Sequence, residues 1–132
     1  FGSSIGEGNY TRPQGEIVYM EASDELNNYG GGATVSSNTS INIEAETNGT
    51  VPKGAKALLI KTKARCSTAA KDFRISNDTS TTNPPLLIGS QQTSYDAYAT
   101  CWVPCDSNGD IAVTRNDTFT NVGIHIHAVE LR

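Results

Sequence analysis

The chain has 132 residues, a mass of 14.0 kDa, a formal net charge of −4 and a pI near 5.0. That length suits one domain with its own core and is too short for two. The acidic balance argues against a nucleic-acid partner, which needs clustered Lys and Arg, and no apolar run reaches the about 18 to 20 residues of a membrane span.

Thr, Ser, Asn and Gly are abundant, and this mixture favours strands and turns over helices. The opening "FGSSIGEGNYTRPQG" is polar and Gly-rich and predicts an extended arm over residues 1–14, ahead of one sandwich domain over 15–132. "GEIVYMEA" reads as the first strand, through Ile17, Val18 and Tyr19. "SDELNNYGGGATVSSNTS" then reads as a long polar loop, and loops of that length are commonly contact surfaces. Phe1, Ile5 and Tyr10 of the arm, with Tyr29, Gly30, Gly31 and Gly32 of the loop, are therefore the expected subunit contacts.

"SINIEAE" alternates Ile41, Ile43 and Ala45 against Asn42, Glu44 and Glu46, the period-2 pattern of a half-buried strand. After the Asn48-Gly49 turn, "ALLIKTKAR" begins as a buried run and becomes alternating. Lys56, Lys61, Lys63 and Arg65 there read as a solvated strand face. "KDFRIS" and "LLIGS" are short strands. In "DAYATCWVP" both faces carry bulk, which predicts a strand that is central or meets a partner. "CDSNGD" places Asp106, Asn108 and Asp110 at alternate positions, the beginning of a calcium loop. Its glycine falls too early and no distal Glu follows, so a tight hairpin turn is the reading. "DIAVTR" and "NVGIHIHAVEL" are the last strands. About eight short strands with regular turn signals predict an all-β antiparallel sandwich, a jelly roll most simply, with an immunoglobulin-like sandwich as the competitor.

His125 and His127 are the only histidines and stand two apart, on one face of a strand. With Glu130 they form "HIHAVE", which resembles the first metal motif of the cupins, themselves jelly rolls. That resemblance implies a cupin-like metalloenzyme as one reading. Strict alternation, however, puts Glu130 on the opposite face and no third histidine exists. The expectation is that Ile124, Ile126 and Ala128 face the core and the histidines face solvent or a neighbour. No nucleophile elbow, phosphate-cradling loop or placed acid pair occurs, so no catalytic residue, cofactor or enzymatic activity is assigned.

Three cysteines, Cys66, Cys101 and Cys105, cannot all pair within one chain, and a bond from Cys66 to either of the others stays open. Asn-x-Ser/Thr triplets at Asn9, Asn38, Asn48, Asn77 and Asn116 fall in expected turns. Among the aromatics, Tyr29, Tyr95 and Trp102 would serve as sugar-stacking platforms if the chain were a carbohydrate-binding module of a fibre or secreted protein.

The units "VPKGAKALLIKTKAR", "AYATCWVPCDSNGDIAVTR" and "NVGIHIHAVEL" resemble small β-sandwich domains of bacteriophage virions. In those proteins a "VPxGAKAxLL" strand precedes a "WVPxDxNGxIxV" hairpin and an alternating last strand; Cys101 and Cys105 depart from that pattern. The resemblance implies a capsid decoration (cement) protein or a fibre-head domain. Such a protein is usually a homotrimer, is held on the virion surface and contacts the major capsid or other virion proteins.

Overall fold

The computed structural model describes residues 16–79 and 84–132; the expected arm at 1–14, with Phe1, Ile5 and Tyr10, lies outside the described residues. In chain order the elements are β1 (Ile17–Val35), β2 (Thr39–Ile41), the short helix α1 (Ile43–Glu46), β3 (Ala57–Arg65), β4 (Asp72–Ser76), β5 (Leu86–Gly89), β6 (Ala97–Pro104), β7 (Ile111–Arg115) and β8 (Phe119–Glu130). One sheet has the order β1-β8-β3-β6 and the other β2-β7-β4-β5, and every pairing is antiparallel.

The pairs β1–β8, β2–β7, β3–β6 and β4–β5 nest inside one another, as in a long hairpin rolled over itself. That order is a jelly roll. The immunoglobulin-like alternative is thereby set aside, because its sheets are built on a different pairing.

Alternation explains most of the strands. Leu58, Ile60, Thr62 and Ala64 of β3 are buried while Lys61 is exposed, so one face of the strand meets the other sheet. Thr62 is tolerated there because its hydroxyl donates to the Gly123 carbonyl at 2.8 Å. Phe73 of β4 and Phe119 of β8 meet across the gap between sheets, centroids 5.5 Å apart and tilted by 59°.

Four local expectations are corrected. The polar stretch after Tyr19 is no loop: β1 runs on through it to Val35, with register shifts that insert residues 20–23 opposite His127 and residues 26–29 opposite Ile124. The second insertion sends Leu26 fully into the core, and Asn28 hydrogen-bonds the Glu46 carboxylate through its backbone N–H (2.8 Å) and its side-chain amide (2.6 Å). Residues 41–46 are not one strand. Asn42 caps a single helical turn by accepting the Ala45 N–H at 3.1 Å, which leaves Ile43 buried and Ala45 exposed. Among the described residues strand β6 is an edge strand, not a central one, which leaves contact with a partner as the reading of its two bulky faces.

The fourth correction concerns "CDSNGD". The turn is there, with the Asp106 carboxylate accepting the N–H groups of Asn108 (2.8 Å) and Asp110 (2.9 Å). It joins β6 to β7, however, and these lie in different sheets, so it is a corner and not a hairpin.

All three cysteines are free thiols. Cys66 is buried, Cys101 on β6 directs its sulfur to the Pro85 carbonyl, and burial with the nearby Asp106 carboxylate pushes the Cys105 thiol up to about 12. At about pH 8 Cys66, shielded by burial, and Cys105, buried and held as the unreactive thiol, should resist a water-soluble disulfide reagent. Cys101 should react slowly, and all three should titrate at once after unfolding, as followed by absorbance of the released thiolate.

Gly109 in the corner has φ +82°, and a Cβ there would lie 2.6 Å from the backbone nitrogens of Gly54 and Ala55. Gly109→Ala should lower stability by about 2–4 kcal/mol in equilibrium urea unfolding, summing the left-handed backbone cost and the clash.

Candidate functional site

The outer face of the β1-β8-β3-β6 sheet is built from residues in register across all four strands. Gly30, Gly123, Lys63 and Tyr98 form one row, and Glu25, His125, Lys61 and Thr100 the next. Tyr19, Ala128, Leu59 and Trp102 form a third row, and Ile17, Glu130, Ala57 and Pro104 a fourth.

This ordering depends on a β-bulge at His127. Against β3, Ile126 pairs with Ile60 and Ala128 with Leu59, so His127 is the extra residue. The bulge breaks the strict alternation expected for "GIHIHAVEL". Ile124 and Ile126 face the core as expected, but beyond the bulge Val129 takes the inward position. Ala128, although buried, lies outside the core cluster. Glu130 consequently shares a face with His125, contrary to expectation. It stands two same-face steps away, about 13 Å along the strand, and is paired with Lys56 at 3.5 Å. Among the described residues no three His, Cys, Asp or Glu side chains converge as a metal set.

Around the histidines lies a groove of about 390 Å³, lined by Ser23, Gly30, Gly31, Lys61, Thr62, Lys63, Tyr98, Gly123, His125 and His127. His125 sits between two groups of β1: its Nε2 is 3.4 Å from a Glu25 carboxylate oxygen and its Nδ1 makes a long 3.5 Å contact with the Ser23 hydroxyl. His127 Nε2 is buried and has no hydrogen-bond partner among the described residues. Leaving such an atom unsatisfied costs about 1–3 kcal/mol. Lys63 is held loosely, 3.9 Å from the Asp96 carboxylate, which Arg65 engages more closely at 2.9 Å. Lys61 is exposed and has no ion-pair partner among the described residues.

Glycines make the floor. A Cβ on Gly123 would lie 3.1 Å from Gly31 Cα and 3.2 Å from Gly31 N, so β1 and β8 approach more closely here than side chains allow. Gly31, at φ +105°, leaves the space beside it to the end of the Lys63 side chain.

The residues singled out in the sequence are partly brought together. His125 and His127 share the groove with Gly30 and Gly31, whereas Gly32 points to open space. Tyr29 is half-buried against the core, where burial and then the Glu46 charge raise its pKa. Trp102 lies on the outer face of β6, and Tyr95 is exposed just before that strand. Tyr29, Tyr95 and Trp102 do not line the groove, and the aromatic that does is Tyr98. Sequence reasoning weighed Lys61 and Lys63 as an anion site and preferred a solvated strand face, without linking them to the histidines. Their two-residue spacing, matching that of the histidines, was the available signal, but only strand pairing puts the two sets side by side.

No family model and no curated protein matches the chain. Among solved structures, it is similar to the coat protein of Tobacco streak virus, with 14% identity, a TM-score of 0.41, and coverage of 93% of this chain and 90% of that one. A second structure, the Tobacco streak virus coat protein dimer, gives 15% identity, a TM-score of 0.39, and coverage of 92% and 90%. Likeness at this level adds nothing to the strand order, on which the fold assignment rests.

The close approach of β1 to β8 gives a direct check. Gly123→Ala should destabilise the chain by about 1–3 kcal/mol in urea unfolding, because the Gly31 backbone must shift. Gly32→Ala, with nothing within 4 Å of its Cβ, should stay within about 0.5 kcal/mol.

Proposed function

We propose that the chain is a non-enzymatic structural component of a virus particle, acting through contacts between subunits. The observation that carries this reading is the edge of the outer sheet. Strand β1 is 19 residues long and, among the described residues, has a neighbour on one side only. At its start Ile17, Val18 and Tyr19 are 44%, 43% and 69% exposed. An unpaired edge that is also apolar invites pairing or burial, and monomeric proteins generally blunt such edges with charge or proline. From Tyr19 the apolar row continues through Ala128 and Leu59 to Trp102, so it spans the sheet from one edge to the other.

Within this reading, a decoration or appendage protein of a bacteriophage, carried on the virion surface as a homotrimer against the major capsid protein, is the form that the phrases "VPKGAKALLIKTKAR" and "AYATCWVPCDSNGDIAVTR" support. Gly30 to Gly32 and the arm residues would add contacts, and repetition over a lattice would supply avidity without strong single contacts.

Sedimentation velocity on the full chain at about 50 μM should show discrete oligomers. The exposed outer-face variants Ile17→Lys and Tyr19→Lys, combined, should weaken association by about tenfold or more while leaving the circular dichroism spectrum unchanged. A chain that stays monomeric to about 100 μM, or whose association ignores those two changes, overturns the proposal.

A further inference from the structure

We propose that the groove over His125 and His127 is a binding site for a small carboxylate-bearing ligand of the acidic-sugar class. Its lining contains two lysines, two histidines, a serine and a tyrosine, and no carboxylate. Two acids flank it: the Glu25 carboxylate lies against His125 and beside Gly30, and Asp96 is paired with Arg65 and Lys63. The positive charge of Lys61 has no ion-pair partner among the described residues and stands in register beside His125.

The volume, about 390 Å³, is within the range of small-molecule sites. The glycines let β1 lie close on β8, so that the Gly31 backbone covers Gly123 and the end of the Lys63 side chain lies beside Gly31.

Tyr98 decides the class. The residue is 62% exposed and stands in register beside Lys63 at the rim of the groove. An exposed aromatic next to cationic donors matches a ligand with an apolar ring face and an anionic edge, which is how a uronic or sialic acid presents itself. Lys61 and Lys63 would take the carboxylate, Ser23 would hydrogen-bond a hydroxyl, and Tyr98 would stack on the sugar ring. The site lies on one protomer, so it stands or falls separately from the assembly proposed above.

Titration of the full chain with glucuronate, followed by two-dimensional amide NMR, should give saturable shifts at Gly31, Lys63 and His127. Affinity should be at least about tenfold tighter than for glucose or for the methyl ester of glucuronate. Lys61→Gln with Lys63→Gln should abolish that preference, and Tyr98→Ala should weaken glucuronate while leaving acetate unchanged; these side chains are exposed or half-exposed, and the amide spectrum itself reports folding. N-acetylneuraminate, run in parallel, distinguishes sialic from uronic acids. Glucose binding as tightly as glucuronate overturns the anionic assignment, acetate or sulfate binding as tightly overturns the sugar assignment, and no saturable shift up to about 50 mM overturns the site itself.

Discussion

Everything in the outer sheet depends on β8 being paired on both sides. It lies between β1 and β3, so its twelve residues hydrogen-bond to the beginning and to the middle of the chain at once. Its inward side chains, Ile124, Ile126 and Val129, supply the core, and Phe119 reaches across to Phe73 of the other sheet. Its outward side chains, His125 and His127, supply the polar groove. One strand thus fixes the interior and the exterior chemistry together, and the bulge at His127 lets both be satisfied. The extra residue turns Val129 inward without moving Ile124 or Ile126 from the core.

The strands that were legible in the sequence are those whose burial follows a simple period. β3, β4, β5 and β7 announce themselves through β-branched and aromatic residues bounded by Gly, Pro and Asn. β1 was legible only at its start, because Gly, Asn and Asp are depleted in ordinary strands and here sit in insertions that no periodicity can reveal. Leu26, alone among polar neighbours, gives little local hint that it is fully buried. Residues 41–46 misled for another reason. Isoleucines two apart suit a strand, yet one helical turn capped by Asn42 also buries Ile43 next to Ile41.

The site was harder to read than the fold. The histidines were visible, but which side chains stand beside them is set by the register of β8 against β1 and β3, across separations of roughly half the chain or more, and by that of β3 against β6. A parity argument carried out along one strand fails at the first bulge, which is why Glu130 was placed on the wrong face. The lysines of β3 and Tyr98 of β6 carried no signal of belonging with His125 until pairing joined them. Conversely, the Asn-Gly turn was correctly located but joined the wrong kind of neighbours, since a tight turn says where a chain reverses and not which sheet receives it.

The nested pairing has a temporal side as well. During synthesis β1 emerges first, yet its partner is the last strand made, and β3 can find only β6 until then. For nearly the whole of translation the Ile17–Val35 segment has no backbone partner in its own sheet, so its hydrogen-bonding groups and apolar start are presented to the surrounding medium. The sheet is completed from the centre outward by the final dozen residues, and a nascent chain released before them would carry two open strand edges where the finished molecule has its middle.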